Sequence, residues 1–173
     1  CRAEGILRPS VAYGYYKCNS DGNDLIIYDP ADESKEIERF PFPRQEGRNR
    51  SCISDFFRSV ESGQKDVIAM QCVTVGHEAS KRAKTLFERN EYAEYLYLHG
   101  LGVETAEALA EMWHKRVRQE MGIGNDDATT MRKLFAQGYR GSRYSFGYPA
   151  CPRRSHQQKL FLFLNPQRIG CPL

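Results

Sequence analysis

The chain lacks most of the marks that place a small protein at sight. Its six cysteines, Cys1, Cys18, Cys52, Cys72, Cys151 and Cys171, include no C-x-x-C pair, and none of its four histidines lies within a helical turn of a cysteine or of a second histidine. That spacing argues against a metal site and suits structural thiols in a reducing compartment. No apolar run approaches the roughly 18 residues needed to cross a bilayer, and no signal-peptide core follows Cys1, so a soluble cytoplasmic chain is expected. Gly138-Tyr139-Arg140-Gly141 matches neither the dinucleotide nor the P-loop pattern. With 25 Lys and Arg against 22 Asp and Glu, the net charge of +3 is too mild to argue for nucleic acid. Internal repeats and low-complexity linkers are absent.

What is present fits one domain: 173 residues, 40% hydrophobic, enough to bury a core without staples. Both ends read as cuts. The first residues carry no initiator methionine, and Leu160–Leu164, Asn165-Pro166 and then Arg168–Leu173 read as a strand stopped as it begins. Ser10–Lys17 and Leu25–Tyr28, separated by turn residues Asn19–Asn23, predict a hairpin. Ile37–Phe42 adds a third strand, confined by its prolines to an edge or terminus. Asp66–Val75 is nearly all apolar and predicts a strand buried on both faces at the centre of the sheet. From Glu78 to Gly122 helix formers dominate, with breaks expected near Asn90 and at Gly100 and Gly102. Ala106, Leu109, Ala110, Trp113 and Val117 make one apolar stripe; Glu107, Glu111, His114 and Arg118 make a second, expected to be a solvated, salt-bridged face. Asn125-Asp126-Asp127 is expected to cap a short helix reaching about Gln137. The fold class expected is α+β: a mostly antiparallel twisted sheet, an N-terminal meander plus a central strand, packed by C-terminal helices.

The stretch richest in chemistry is Arg143-Tyr144-Ser145-Phe146-Gly147-Tyr148-Pro149-Ala150-Cys151-Pro152. Its prolines fix φ and push Tyr148 and Cys151 out of the helical region, which predicts a rigid, extended backbone. Gly147 would expose bare peptide beside the rings of Phe146 or Tyr148, an arrangement suited to a flat polar heterocycle. A rigid turn whose aromatics fill the edge of a core is an equal reading. Cys151, held between prolines, reads as packing rather than as a nucleophile. Arg44, Arg48, Arg50 and Arg58, with Arg132, Lys133, Arg140, Arg143, Arg153 and Arg154, could form a basic rim for phosphate or an acidic protein, or simply solvate the surface.

Four ordered blocks carry a resemblance. Tyr13–Ser20 with Gly22-Asn23-Asp24 and Ile27-Tyr28, Pro43-Arg44-Gln45 with Cys52–Phe56, Glu104–Glu111 with His114–Arg118, and Tyr139–Arg143 running into Gly147–Pro152 together resemble the S-adenosylmethionine-binding activation domain of cobalamin-dependent methionine synthase. The resemblance implies that Arg143 holds the methionine carboxylate or an adjacent polar group, that Gly147 and Tyr148 face the nucleoside, that Pro149, Ala150 and Cys151 keep that surface rigid, and that Glu107 lies near the sulfonium. It implies part of a methyltransferase, incomplete as a catalyst by itself, which supports reductive methylation of cob(II)alamin to methylcobalamin. Cobalamin would be carried by another domain, and a flavodoxin-like donor would supply the electron, with no part for nucleic acid or membrane. Three departures are visible: a family carboxylate before the meander and a late strand with paired tyrosines fall outside this chain, and a second glutamate expected before the loop is Gln137. The resemblance thus implies an incomplete pocket. Two other readings differ in class. One is a docking module for an acidic, flavodoxin-like electron-transfer protein without nucleotide binding; the other, a standalone methyltransferase, lacks a Rossmann-type glycine loop.

Overall fold

The structure, a computed structural model, describes residues 5–172. The chain divides into two compact units. A sheet unit comprises Tyr13–Met70 and Arg143–Leu164; a helical unit comprises the residues up to Ala12, Gln71–Ser142 and those from Asn165 onward.

Four strands, β1 (Ser10–Asp21), β2 (Asp24–Tyr28), β3 (Glu36–Pro41) and β4 (Asp66–Thr74), lie in the order β3-β2-β1-β4. β1 pairs antiparallel with β2 through Cys18↔Ile27 and Asp21↔Asp24, and β2 pairs antiparallel with β3 through Leu25↔Phe40. The α+β class is as expected, but β4 is an edge strand among the described residues. Only Met70 of its nine residues is buried, whereas Leu25, Ile26, Ile27 and Tyr28 of β2 are all buried. An apolar run reports average burial, and here the shorter run holds the middle of the sheet.

The hairpin loop is also tighter than expected. Gly22 and Asn23 alone join β1 to β2, with a positive φ at Gly22, as a two-residue loop whose first position is glycine requires. Asn19 and Ser20 therefore lie within β1 rather than in a turn. Asn19 is buried, and its side-chain amide donates to the carbonyls of Arg58 (3.0 Å), Ser59 (3.3 Å) and Gln64 (2.8 Å). Ser20 adds a backbone bond to Arg58 and donates its hydroxyl to the Phe57 carbonyl. Turn-forming residue types here serve to satisfy an irregular segment that packs against the strand.

The C-terminal apolar run forms α4 (His156–Leu164; α1–α3 follow below). Tyr16 donates its hydroxyl to the Phe163 carbonyl at 2.8 Å, and Lys159 donates to Glu38 (2.9 Å) and to the Arg39 carbonyl (2.6 Å), fastening the helix to β1 and β3. Beyond it the expected nascent strand is a 3-10 turn, Pro166–Ile169, because Asn165 and Gly170 both adopt the left-handed region around a proline already suited to a first helical position.

In the helical unit, α1 (His77–Glu88) and α2 (Tyr92–Glu120) are separated where Asn90 takes φ +58°. Asparagine tolerates that conformation better than other non-glycine residues. Gly100 and Gly102 do not break α2, which runs for 29 residues. The expected cap at Asn125 is replaced by Thr130, ahead of the five-residue α3 (Met131–Phe135).

The second stripe of α2 is a solvated face only at its start: Glu107 is exposed and Glu111 half-buried, but His114 and Arg118 are buried. Arg118 is only 2% exposed. Its guanidinium grips Asp127 in bidentate fashion (Nε–Oδ1 2.7 Å, Nη2–Oδ2 2.8 Å), donates to His114 Nδ1 at 2.9 Å and lies 3.9 Å from the centre of the Tyr139 ring. A planar, permanently charged fork fits such a site, where a carboxylate, an imidazole and a ring face share one cation. Removing one partner leaves a buried charge uncompensated, so Asp127→Ala should cost about 3–5 kcal/mol in urea unfolding. Arg118 also holds the Asp127 carboxyl below the usual carboxylate range. The group is ionised in the folded chain at pH values where the unfolded chain binds a proton, so its contribution is full above that range and is lost as pH falls through it. Asp127→Ala should flatten this part of the acid limb of a stability-versus-pH curve.

Candidate ligand-binding site

The Arg143–Pro152 segment is rigid, though not extended as expected. Tyr148 and Cys151 form an isolated antiparallel bridge, Gly147 N–H donates to the Cys151 carbonyl at 2.9 Å, and Cys151 N–H donates to the Tyr148 carbonyl at 2.9 Å. Pro149 and Ala150 are the corner of that turn. Pro149 takes the first corner position, which its fixed φ favours.

Two ties hold the loop to the rest of the sheet unit, and a third bond closes it on itself. Gln45 donates its side-chain amide to the Pro149 carbonyl at 3.0 Å. The Cys151 thiol is buried and donates to the Ser145 carbonyl at 2.8 Å, and burial pushes its pKa up, which keeps it a thiol. Phe146 stacks on Phe40 (centroids 6.1 Å, planes 10° apart) and meets His156 edge-on at 5.8 Å. The two readings of the loop thus divide by residue. Phe146 and Cys151 pack inward; Tyr148, 65% exposed, presents its ring outward, and Arg143 is half-buried.

Gly147 has φ +103°, a conformation that L side chains rarely adopt, and a Cβ there would come within 3.3 Å of Arg154 Nε. Gly147 is itself exposed, with the exposed Arg154 side chain beside it. Glu107 stands exposed on α2, in the helical unit, and Gln137 adopts φ +59° at the end of α3.

Sequence reasoning missed Gln45 as a loop contact and Arg154 as the side chain beside Gly147. The signal for Gln45 was its neighbour. Arg44 pairs bidentately with Asp55 (2.9 and 2.8 Å) and also donates to the Arg50 carbonyl, while Asp55 accepts from Cys52 N–H and Gln45 N–H donates to the Ser51 carbonyl. These bonds fix the backbone from which Gln45 reaches out. The same bonds thin the expected basic rim, since Arg44 is committed to Asp55 and Arg58 to Gln64.

A family model for the activation domain of vitamin B12 dependent methionine synthase matches residues 1–173. The chain belongs to that family. Among curated proteins it is 41% identical over 182 residues to methionine synthase of Mycobacterium tuberculosis and 40% identical over 178 residues to that of Mycobacterium leprae. The alignments take in 98% and 96% of the chain but 15% of each relative's length, so this activation domain spans a minor part of those proteins. A crystal structure of the MetH reactivation domain bound to AdoHcy superposes with a TM-score of 0.88 at 28% identity, covering 99% of this chain and 55% of that one. Among the described residues no helix is long and apolar enough to cross a membrane, and no group of three or more acidic, histidine or cysteine side chains could hold a metal ion.

Two measurements probe the architecture of the activation-domain loop. Gly147→Ala must place a side chain at a positive φ and against Arg154; a loss of about 1–3 kcal/mol in urea unfolding is expected. His156 is buried among Phe40, Phe42 and Phe146, and burial, then Lys159 and Arg153, lower its pKa below 6.5, with Glu38 opposing. The unfolded chain then binds a proton at pH values where the folded chain does not, so stability should fall as pH drops below about 6.5. His156→Phe should flatten that part of the profile.

Proposed function

We propose that this chain is a single activation domain that binds S-adenosylmethionine and holds its sulfonium methyl group for transfer to a cobalamin carried by another domain of a methionine synthase. One observation carries the reading: the loop that bears Arg143 and the outward ring of Tyr148 is closed by its own Cys151–Ser145 bond and pinned by Gln45 and Phe40, in a chain whose fold matches that of a domain crystallised with AdoHcy.

Each residue then has a definite task. Arg143 makes a charge-assisted bond to the methionine carboxylate of the ligand. Gly147 supplies peptide groups, and Tyr148 a ring face, to the nucleoside. Pro149, Ala150 and Cys151 set the turn that orients both. Arg154, beside Gly147, adds a second cation. Glu107 favours the positively charged sulfonium over the neutral thioether left after transfer. Bound cobalamin supplies the nucleophilic cobalt, once reduced by a flavodoxin-like donor. The domain contributes positioning, since a methyl transfer between sulfur and metal requires no protein acid or base.

The docking-module alternative has less to work with than its sequence suggests, because Arg44 and Arg58 are already engaged within the unit.

Calorimetric titration separates the two readings. Arg143→Ala should weaken S-adenosylmethionine binding by roughly 10- to 100-fold, the range of a hydrogen bond to a charged group. Glu107→Gln should narrow the preference for S-adenosylmethionine over S-adenosylhomocysteine while leaving binding of the latter nearly unchanged. Retained nucleotide binding in Arg143→Ala, together with lost docking of the electron donor, would overturn the assignment in favour of the docking module.

A further inference from the structure

The helical unit contains a pair of thiols that the proposed function does not use. Cys72 lies in β4, and Cys171 follows the 3-10 turn after α4. Their Sγ atoms are 3.7 Å apart, about van der Waals contact, against roughly 2.05 Å in a disulfide. Both residues are half-buried, whereas Cys18, Cys52 and Cys151 are 0%, 2% and 3% exposed. The approach is built into the backbone. Asn165 and Gly170 both take the left-handed region, Pro166 between them is buried, and Cys171 N–H donates back to the Pro166 carbonyl at 3.2 Å, which turns the chain toward the strand. Gly170 and Pro172 flank Cys171 in a segment outside helix or strand, so a small shift of that side chain brings the sulfurs to bonding distance.

We propose that Cys72 and Cys171 form an oxidation site, a dithiol that hydroperoxide converts to a disulfide joining β4 to the segment after α4. Burial, then the neighbouring sulfur, raise the pKa of the Cys72 thiol; the first attack is assigned to Cys171, which lies outside helix or strand. The Cys171 sulfur attacks one peroxide oxygen, the O–O bond breaks, and water leaves a sulfenic acid. The Cys72 sulfur then attacks that sulfur, the S–O bond breaks, and the Cys72 proton departs with the oxygen as a second water. Two thiols and one hydrogen peroxide give one disulfide and two waters; both sulfurs are oxidised and both peroxide oxygens reduced. The new bond spans 99 residues of sequence, so it restrains the unfolded chain over most of the helical unit.

The test uses the full chain carrying Cys1→Ser, treated with a slight excess of hydrogen peroxide, alkylated and digested without reductant. The expected product is the Cys72 peptide joined to the Cys171 peptide, lighter by two hydrogens, formed faster in native protein than in urea, reversed by dithiothreitol and accompanied by a raised thermal midpoint. Cys72→Ser should leave a sulfenic acid at Cys171 that dimedone traps, and Cys171→Ser should leave Cys72 unmodified. The proposal is overturned if the linked peptide forms no faster in native protein than in urea, or if disulfides to Cys18, Cys52 or Cys151 form in comparable yield.

Discussion

Phe40 sits at the centre of an aromatic cluster that ties three separate parts of the sheet unit together, and the ligand loop has its shape because of that cluster. Phe40 is buried in β3, with Phe42 stacked beside it (6.4 Å, 9°), Phe146 of the loop stacked at 6.1 Å, Phe163 of α4 at 6.3 Å and His156 edge-on at 5.6 Å. Aromatic pairs of this kind contribute roughly 0.5–1.5 kcal/mol each beyond area burial, and a ring shared by four neighbours couples them. The loop's own hydrogen bonds set its local turn. Phe146 decides which way that turn faces, because its ring must be buried, and burying it leaves Tyr148 on the outside. Lys159, fastened to Glu38 and the Arg39 carbonyl, fixes α4 and therefore His156 against the same cluster.

Electrostatics acts differently in the two units. In the sheet unit Arg39 bridges Glu36, Asp21 and Asp24, and Arg44 bridges Asp55, all in partly exposed settings where water screens the charges and little net stability is gained. Their value is geometric: they close the β1–β2 hairpin onto β3 and hold the backbone that carries Gln45. In the helical unit the Arg118–Asp127 pair is almost wholly buried. Desolvation offsets much of its attraction, so its consequence is register more than net stability. It clamps the end of α2 to the segment that carries Tyr139, three residues before Ser142, where the chain passes from the helical unit to the start of the ligand loop.

The two kinds of site differ in how far their sequence announces them. The loop was legible because its composition constrains the backbone directly: proline fixes φ, glycine permits a positive φ, and these are properties of single residues. β2 and the α1–α2 break at Asn90 were legible for the same reason. The errors share another cause. Asn19 and Ser20 are turn formers by type, yet they sit in a strand because a distant segment, Arg58–Gln64, needs hydrogen-bond donors there. His114 and Arg118 read as part of a solvated stripe because their burial depends on Asp127 and Tyr139, residues outside the helix. β4 read as central because its residues are apolar, but strand order depends on which neighbour each strand finds. Periodicity sees a single element; these three outcomes are set by partners remote in sequence. Gln45 and Arg154 escaped notice for the same reason.

The chemistry of the loop follows from what it withholds as much as from what it offers. A site that moved protons near neutral pH would keep a titrating group at its surface. Here the two candidates are withdrawn: Cys151 is kept a thiol by burial and donates its S–H to the Ser145 carbonyl, and His156 is held neutral beneath three phenylalanine rings. What faces outward on the loop is a ring, peptide groups at a fixed turn and arginine. Groups of those kinds suit the proposed ligand, an anion joined to a flat heterocycle, and do nothing to its protonation. A sulfonium needs no more, because its methyl group departs without its electron pair, which stays on sulfur, and the charge that drives the departure is carried by the ligand itself. Rigid placement is then the whole contribution such a loop can make, and its internal bond and two ties to the sheet unit favour it.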